Sequence, residues 1–575
     1  MPPFFLLLFE SMIRTLALSV VSIGVVLAAS VLFRGAAATG PSQARISFGL
    51  QTLPFRLENS ETPARNAPET MPGGAAVFDY DGDGRPDIFF TNGANIATLR
   101  KDDPKYRNRL FRNEGNGKFI DVTTQGGVAG TGFDIGVAVA DYDNDGHPDL
   151  FVVGVHKNTL YHNNGNGTFS DVTATSGLAR SNDPQFGPLW SEAAAWVDVN
   201  NDGLLDLFVV NYLSWKYSPD PLCAVNNVAD YCHPRFYKGT PNQLFLNRGN
   251  GQFQDVSEAW GIRAQVGKGM GVGVADYDND GKPDLFVSND AQYNFLFHNT
   301  GTRYEEVAFT AGVALSEDGK FISGMGLDFR DFNNDGLPDI FFVALQQQSF
   351  PLFQNAGDGT FRDVTTSTGI RNLVVSMAGF GAGMYDFDND GWKDLFVTRG
   401  HVASMPQAGQ EVNQFNTVFR NTSRSGRWEA LTEQAGLEAA SPARHRGCAF
   451  ADLNGDGKVD VVATALGASA EIWMNRSPES GHWVDVALEG TKSNRDGIGA
   501  RLKLTSATGV QHNHQTSSVG YASSSYGPVH FGIGSAAQVD ELEVRWPSGI
   551  VQTLRAVAAD RIIHVREDAT TRTAQ

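Results

Sequence analysis

Several features are scarce in this 575-residue chain. Only three residues are cysteine, which excludes a disulfide-built scaffold and a cysteine-rich zinc or iron–sulfur array. Basic residues are in the minority, with 45 Lys and Arg against 64 Asp and Glu, and the net charge of −19 argues against a nucleic-acid-binding face. Charged residues make up only 19% of the chain and hydrophobic residues 41%, so an acidic disordered protein is also excluded.

Catalytic motifs are missing too. The chain has no H-E-x-x-H, G-x-S-x-G, Walker or G-x-G-x-x-G element in a fitting context, and no nucleophile or paired acid–base arrangement. His512 and His514 share one face of a strand, where we expect solvent rather than a metal. His445 and Arg446 are expected at an ordinary surface rather than in a functional channel. We assign no catalytic residue, which favours a binding protein over an enzyme.

An export segment is predicted at the N-terminus. Residues 15–33 form an uncharged run after Arg14, and the small residues Ala36–Ala38 follow. The run approaches the ~20 residues that span a bilayer, and Ala36-x-Ala38 fits a signal-peptidase site. We expect residues 1–38 to be a cleaved signal or an uncleaved anchor, with a buried soluble helix as the weakest alternative. The body is then secreted, periplasmic or at the cell surface, and no later segment is predicted to span a membrane.

One short acidic pattern, D-x-[DN]-x-D-G-x-x-D, occurs seven times, which is too regular for chance. Position 6 is always Gly, as a sharp turn with positive φ requires, and position 9 is always Asp. An apolar run such as LFVV follows each copy and is typical of a buried strand. The copies begin at Asp79, Asp141, Asp198, Asp276, Asp331, Asp386 and Asp452.

The spacing within each loop suits a hard cation. Ca²⁺ binds six to eight oxygens at ~2.3–2.6 Å, and the side chains at positions 1, 3 and 5 of a curled loop converge on one point. Position 7 varies freely, as expected of a residue that contributes only its carbonyl oxygen. EF-hand loops differ, because they need Glu at position 12 and flanking helices. Metal-free Asp/Gly turns are the alternative, but turns need no fixed set of four acidic or amide positions.

The predicted ligands are positions 1, 3, 5, 7 and 9 of every loop, for up to seven Ca²⁺. Three loops carry Asn at position 3 and should bind more weakly. By loop, the set is Asp79, Asp81, Asp83, Arg85 and Asp87; Asp141, Asp143, Asp145, His147 and Asp149; Asp198, Asn200, Asp202, Leu204 and Asp206; Asp276, Asp278, Asp280, Lys282 and Asp284; Asp331, Asn333, Asp335, Leu337 and Asp339; Asp386, Asp388, Asp390, Trp392 and Asp394; and Asp452, Asn454, Asp456, Lys458 and Asp460.

A second repeat follows each loop and predicts a hairpin. It reads LFRNEGNGKFIDVT at 110–123, and its central Asn and Gly indicate a tight turn between two strands. With the strands on either side of the acidic loop, each unit has four strands, A to D. Seven such units predict an all-β fold, a seven-bladed β-propeller over 46–477. The seventh unit lacks a strand D, which an N-terminal strand near Leu53–Glu58 is expected to supply.

These motifs carry a family resemblance. The loops and their Gly-rich leading strands resemble the FG-GAP/VCBS repeats of integrin α-chain propellers. Residues 481–566 resemble an ASPIC/UnbV domain, expected as a small β-sandwich-like unit before a disordered tail at 567–575. The pairing is that of the cartilage-acidic-protein-like family, and it implies the fold and calcium binding but no reaction. The C-terminal resemblance rests on stretches at 482–504, 520–525, 530–534 and 539–550.

Strand alternation places the acidic loops on one face of the propeller and the B–C loops on the other, which we call the insertion face. The longest B–C loop, residues 211–243, is rich in aromatic residues. Variable loops on a rigid scaffold often bind ligands, so this loop is either a ligand platform or a segment packed onto the propeller. Cys223 and Cys232 within it are predicted to form a disulfide, since export permits oxidation. The candidate platform residues are Trp215, Tyr217, Tyr231, His233 and Tyr237.

Two functions stay open from the sequence. The first is a calcium-stabilised extracellular binding or adhesion module for a protein or glycan, without nucleic acid and with membrane contact only through an N-terminal anchor. The alternative is an extracellular enzyme that acts on polysaccharide at the insertion face. The seven loops hold 25 of the 64 acidic residues, which leaves 39 acids against 45 bases elsewhere. The negative charge therefore lies in the loops, where seven Ca²⁺ would neutralise most of it.

Overall fold

A computed structural model describes residues 45–179, 182–403, 411–422, 426–478 and 480–568. Seven antiparallel four-stranded sheets form the blades of a β-propeller, and a second all-β region follows, so the predicted fold class is confirmed. The predicted export segment lies outside the described residues. Among those residues, none belongs to a helix long and apolar enough to cross a membrane.

Each blade runs from strand A, next to the ring axis, to strand D at the rim, and the A strands of neighbouring blades contact one another. In the order A to D, the strands are Ala75–Phe78, Asp87–Phe90, Arg109–Asn113 and Phe119–Asp121 in blade 1; Phe133–Ala140, Asp149–Val155, Thr159–Asn163 and Phe169–Asp171 in blade 2; Ser191–Val197, Asp206–Asn211, Gln243–Asn247 and Phe253–Asp255 in blade 3; Gly269–Ala275, Asp284–Gln292, Phe295–Asn299 and Tyr304–Glu306 in blade 4; Leu327–Arg330, Asp339–Phe342, Leu352–Asn355 and Phe361–Asp363 in blade 5; Gly379–Tyr385, Asp394–Arg399, Thr417–Asn421 and Trp428–Ala430 in blade 6; and His445–Ala451, Asp460–Ala465, Ser469–Asn475 and Phe48–Arg56 in blade 7.

Short elements lie in the B–C loops within blades and in the crossings between blades. The α-helical turns are Thr123–Gly126, Thr173–Ser176, Ala308–Ala311 and Ile370–Val374, and the 3-10 turns are Ala67–Thr70, Pro104–Tyr106, Pro234–Phe236, Ile262–Ala264 and Leu437–Ala439. Two-residue strands occur at Asn182–Asp183, Gly187–Pro188, Ala224–Val225, Val228–Ala229, Thr240–Pro241, Val266–Gly267 and Ile322–Ser323.

The N-terminal strand completes blade 7. Phe48–Arg56 pairs antiparallel with the blade's strand C, with Phe48 opposite Asn475. This strand begins five residues before the predicted Leu53–Glu58, because Phe48 packs edge-on against two rings of the neighbouring blade, those of Phe387 and Phe396, at 5.5 and 5.8 Å. The first and last segments of the propeller therefore share one sheet.

Close approach of neighbouring A strands explains their glycine content. A Cβ atom on Gly273 of blade 4 would lie 2.6 Å from the side chain of Leu327 in blade 5. On Gly383 of blade 6 it would lie 2.4 Å from the ring of Phe450 in blade 7. The large side chain of one blade thus occupies the space that the glycine of its neighbour leaves open, and the hydrophobic core lies between blades.

A buried asparagine at the end of each strand C joins its blade to the preceding one. Its side-chain amide donates to a carbonyl oxygen in the acidic loop of that neighbour, and Asn113 closes the circle by donating to Leu453 of blade 7 at 2.8 Å. All seven side chains are at most 3% exposed, so these bonds have no competition from water. The pairs are Asn113–Leu453, Asn163–Tyr80, Asn247–Tyr142, Asn299–Val199, Asn355–Tyr277, Asn421–Phe332 and Asn475–Phe387.

The C-terminal region is a β-sandwich of one three-stranded and one four-stranded sheet around its own core. Its predicted tail boundary needs correction. The carboxylate of Glu567 accepts backbone N–H bonds from Thr491, Lys492 and Ser493 at 2.7–2.9 Å, so this residue belongs to the domain. Residues 569–575 lie outside the described part. The strands are Val529–Gly534, His482–Glu489 and Arg561–Arg566 in one sheet and Gly509–His514, Arg501–Ser506, Gln538–Arg545 and Val551–Ala558 in the other.

A segment of the C-terminal domain, residues 515–526, fills the centre of the ring. Its short strand Ser524–Ser525 pairs in parallel with strand A of blade 1. The hydroxyl groups of Ser517 and Ser518 donate to carbonyls of blades 2 and 4, at 2.8 and 2.7 Å. The backbone of Gly520 exchanges two hydrogen bonds with Leu327 of blade 5. We call residues 515–526 the central plug.

The plug and its surroundings correct two expectations. His445 and Arg446 are at most 1% exposed and belong to the packed interior, not to the surface. His512 and His514 face the propeller rather than solvent, and His514 lies 3.0 Å from the carbonyl oxygen of Val274. His514 is buried because the domain packs against the propeller. His445 and Arg446 are instead buried within the propeller, where they contact Glu471 and the carbonyl oxygen of Thr70.

Removal of one inter-blade amide should destabilise the whole ring. The substitution Asn163→Ala leaves the carbonyls of Tyr80 and Pro148 without their donor in a buried site, which costs about 1–3 kcal/mol. We expect a lower midpoint in urea unfolding. Asn164→Ala is the control, since Asn164 is exposed and binds only hairpin side chains. Equal stability of the two variants would show that the inter-blade asparagine bonds do not hold the propeller ring closed.

Candidate metal centres

The acidic loops have one backbone design. In blade 2, the carboxylate of Asp141 accepts N–H bonds from Asp145 and Gly146 at 3.0 and 2.7 Å. Asn144 and Gly146 have φ of 60° and 97°, the left-handed region that Asn and Gly tolerate best. In all seven loops, position 6 donates to position 1, and position 7 donates to position 5. The curl is thus fixed by the chain itself.

Position 4 is a structural residue that the sequence reading missed. Its φ is positive in all seven loops, where it is Asn five times and Gly twice. The restriction of position 4 to Asn or Gly in the sequence is the signal that could have identified it. Four of these asparagines also donate to the glycine carbonyl of the next loop at 2.8–3.0 Å, which links the loops of blades 2 to 4 in one series and those of blades 5 to 7 in another. The pairs are Asn144–Gly203, Asn201–Gly281, Asn334–Gly391 and Asn389–Gly457.

The position-9 aspartate connects the loop to the inter-blade asparagine. One oxygen of Asp149 accepts the N–H of Tyr142 at 3.2 Å, and the other accepts the N–H of Asn163 at 2.7 Å. The equivalent bonds occur in every blade. All seven of these aspartates are 0% exposed. Loop shape and ring closure therefore share the same atoms.

Loop oxygens converge in several blades, and three of the buried ones have no hydrogen-bond donor. Candidate ligand oxygens of Asp141, Asp143 and Asp149 lie within 4.8 Å of one another, and blades 1 and 4 have the same grouping of positions 1, 3 and 9. Oδ1 of Asp143, of Asp276 and of Asp388 is buried and has no hydrogen-bond partner. A buried oxygen without a donor is costly, whereas a cation would satisfy it. An all-oxygen set of this kind fits a hard cation such as Ca²⁺.

Burial and mutual repulsion make the metal-free carboxylates weak acids. Burial, reinforced by neighbouring acids, raises the pKa of Asp87 and of Asp141 to about 8. The pKa of Asp149 and of Asp284 rises to about 7, again chiefly through burial. Such groups take up either a proton or a cation near neutral pH.

In blades 2, 4 and 6 the residue before the inter-blade asparagine also faces the loop, which was not expected from the sequence. Nδ1 of His162 lies 3.3 Å from an oxygen of Asp143 and 3.3 Å from one of Asp149, and its interaction with Asp149 raises the pKa of this imidazole to about 9. His298 has the same place in blade 4. In blade 6, Arg420 donates to Oδ2 of Asp388 at 2.7 Å and leaves Oδ1 available.

Position 7 contributes more than a carbonyl in three loops. The side chains of Arg85, Lys282 and Lys458 pair with the position-5 aspartates of their own loops, which are Asp83, Asp280 and Asp456. The expectation that this position acts only through its backbone is therefore too narrow for blades 1, 4 and 7. Cation coordination by the position-7 carbonyl stays a prediction.

The C-terminal domain lies on the face that carries the acidic loops. The backbone N–H of Arg495 donates to Asn144 at 2.7 Å, and the Asp496 carboxylate accepts the N–H of Asp141 at 2.9 Å. Arg501 pairs with Asp276 at 3.1 Å. Among the described residues, the blade-1 loop forms no hydrogen bond or ion pair with this domain, and its positions 3 to 7 are exposed. The domain therefore leaves the opposite, insertion face free.

The predicted platform residues are only partly at the surface. Trp215 is 2% exposed and packs near Trp190 in the core, so it does not belong to the candidate platform of exposed aromatic residues. The hydroxyl of Tyr231 donates to Glu69 at 3.2 Å. The structure contains the Cys223–Cys232 disulfide. Tyr217 is 43% exposed and His233 is also exposed, while Tyr237 is half-buried.

Further exposed apolar side chains extend over the insertion face. Phe236 and Leu222 are each 62% exposed in the longest B–C loop. Of the eleven exposed large hydrophobic residues in the described chain, eight lie in that loop or in the crossings that lead from strand D to the next strand A. These eight are Tyr217, Leu222, Val228, Phe236, Val266, Phe309, Phe321 and Val375.

Comparisons with known proteins agree with both halves of this architecture. Residues 490–572 match the family described as ASPIC and UnbV. Cartilage acidic protein 1 of Xenopus tropicalis is 24% identical over 520 residues, which cover 86% of this chain and 73% of that protein; the Homo sapiens protein is 24% identical over 499 residues, 83% and 69% respectively. A solved Agrocybe aegerita lectin described as recognising non-reducing terminal N-acetylglucosamine is similar over 74% of this chain and 97% of its own, with 16% identity and a TM-score of 0.41. The FG-GAP-like repeat family matches residues 79–152, 141–209, 235–287, 276–342, 331–397 and 386–463.

The metal-free protein should lose stability as pH rises. The folded-state pKa of Asp149 is about 7, whereas an unfolded Asp has a pKa near ~3.9, so above pH ~4 the unfolded chain releases a proton that the folded chain retains. Stability therefore falls from pH 5 to 8.5, and the raised pKa of His162 acts in the same direction. Urea unfolding in chelator measures the trend, and Asp149→Asn should flatten it. Rising stability of the metal-free protein over this range would contradict the account.

Proposed function

Because this chain belongs to the FG-GAP repeat proteins that end in an ASPIC and UnbV domain, we propose that it is an exported calcium-binding propeller that presents its insertion face to a protein or glycan. The observation that carries the calcium assignment is the set of buried, unpartnered oxygens of Asp143, Asp276 and Asp388. Positions 1, 3, 5 and 9 of their loops are all aspartates, and carboxylate oxygens are ligands that Ca²⁺ prefers.

Bound calcium would supply positive charge where the loops concentrate negative charge. The side chains at positions 1, 3, 5 and 9 would hold it, and the backbone bonds of the loop keep these side chains in place before the cation arrives. The position-4 asparagines couple neighbouring loops within two series, as Asn144 does with Gly203 in blades 2 and 3 and Asn389 with Gly457 in blades 6 and 7. Calcium is therefore a stabilising component here rather than a catalytic one.

Burial of the other surfaces supports the insertion face as the binding surface. The C-terminal domain contacts several acidic loops and sends the central plug through the ring, so the ring centre and part of the loop face are covered. Solvent-exposed apolar side chains on a rigid scaffold are typical of interaction sites. Phe236, Leu222 and Tyr217 have this character.

Two features support export. Residues 15–33 are uncharged and precede the small residues Ala36–Ala38. The disulfide between Cys223 and Cys232 would form and persist in an oxidising compartment.

Calcium uptake should depend on individual loops. Asp81→Ala removes position 3 of the exposed blade-1 loop, and we expect the number of bound calcium ions to fall by one. Affinities around 10⁻⁴–10⁻³ M, usual for extracellular modules, call for equilibrium dialysis at millimolar calcium. Asp358→Asn is the control, because this exposed aspartate lies in a C–D hairpin outside the loops. No uptake by the unmodified protein would refute the calcium assignment.

Ligand capture should depend on the insertion face. We expect the double variant Tyr217→Ser/Phe236→Ser to lose at least about tenfold in affinity for a ligand found by glycan array or pull-down, because both apolar contacts are removed. Val510→Ser is the control, since Val510 is 41% exposed on the C-terminal domain. Turnover of a polysaccharide by the unmodified protein would instead support an enzyme.

A further inference from the structure

A cleft lies between the C-terminal domain and the acidic loops of blades 3 to 5. It comprises a cavity of about 300 Å³ and a neighbouring cavity of about 400 Å³. The two adjoin, because Asn279, Pro338, Arg501, His514 and Arg545 line both of them. Cavities of this size accommodate small molecules, and ligand sites are frequent at interfaces between domains.

One wall of the cleft is a cross-strand row of basic side chains. Arg501 is directly opposite Arg545 on one neighbouring strand and opposite His514 on the other. Two like charges in this relation destabilise a sheet unless something of opposite charge accompanies them. Lys503, two residues from Arg501 and on the same face, is exposed and lines the larger cavity.

The acidic partners of this row are limited. Arg501 pairs with Asp276 at 3.1 Å, and Arg545 lies 3.4 Å from Glu543. Glu543 is also opposite Lys503, so one carboxylate is shared between two cations. The side chain of Arg545 is 47% exposed, which leaves most of its guanidinium N–H donors available to a ligand.

His514 adds no charge to the row but restricts its shape. Burial, together with nearby basic groups of which Arg330 is the strongest, lowers the pKa of this imidazole to about 3. Its ring lies 3.0 Å from the carbonyl of Val274 and forms a fixed inner end of the cleft. The available cations are therefore Arg501, Lys503 and Arg545.

The floor of the cleft belongs to the acidic loops. Asp198, Asp276 and Asp331, each at position 1 of its loop, line the two cavities. In the metal-free protein they would repel an anion. Three Ca²⁺ would balance six of the ten carboxylate charges in the loops of blades 3 to 5 and would hold the position-1 carboxylates, so the repulsion of an anion falls and the basic wall attracts it; this step rests on the proposed function. Apolar atoms of Val274 and Ile498 complete the smaller cavity.

We propose that this cleft binds a small ligand through a carboxylate or sulfate group, held by Arg545 and Arg501 when the loops carry calcium. Guanidinium groups bind such oxyanions through two parallel hydrogen bonds, which a single ammonium group does not reproduce. The apolar side of the smaller cavity accommodates the uncharged part of the ligand. The site is distinct from the insertion face, because it lies on the opposite side of the propeller.

The test is a calorimetric titration of the whole protein in a calcium-containing buffer at constant ionic strength. The three titrants are glucuronate, inorganic sulfate and neutral glucose. We expect millimolar binding of at least one of the two anions and none of glucose. The anion that binds shows whether the ligand group is a carboxylate or a sulfate. Arg545→Gln should weaken binding about tenfold or more, the loss expected from one charge-assisted contact. Arg555→Gln is the matched control, since Arg555 is 72% exposed on the adjacent strand outside the cleft.

The outcomes separate this inference from the proposed function. Calcium uptake is measured on the same samples by dialysis, and uptake without anion binding overturns the cleft proposal while the calcium assignment stands. Absence of calcium uptake overturns both. Equal anion affinity in Arg545→Gln and the unmodified protein, or binding of glucose as strong as that of glucuronate, also overturns the cleft proposal. Lys503→Gln, at an exposed position, provides a second variant with the same expected direction.

Discussion

The buried asparagine amide that reaches from one blade to the loop of the preceding blade is the interaction on which the molecule depends. Its side chain spans the boundary between blades, while its backbone N–H is accepted by the position-9 aspartate of its own loop. Asn113 applies the same bond across the junction of the first and last blades. Ring closure, loop geometry and the candidate metal centres therefore cannot vary independently.

The blades and the loops were predictable because both depend on short-range patterns. Position-6 glycine, alternating aspartates and the following apolar run encode a turn and a buried strand within a dozen residues. The start of the first strand was less predictable, since Phe48 finds its partners, Phe387 and Phe396, more than three hundred residues away. The strand C asparagine recurs in every repeat of the sequence. Its inter-blade role could not be predicted, because its acceptor lies in another blade.

The place of the C-terminal domain was beyond sequence reasoning for a physical reason. Its strands could be read from alternation, but the contacts that hold it to the propeller are single side chains and short backbone pairings scattered over 480–568. Ser517, Ser518 and Gly520 look like an ordinary polar loop until the ring supplies carbonyls and a backbone partner. The same contacts explain why His514, which the sequence assigns to a solvated strand, is buried.

The central claim is that the acidic loops are cation sites already shaped by the backbone. Crystals grown in calcium and in chelator, compared by anomalous scattering, test it most directly. The account predicts density for calcium within coordination distance of Oδ1 of Asp143 and of Asp388, with the loop backbone unchanged between the two conditions. Loops without such density in calcium, with these oxygens bound to water instead, would contradict it.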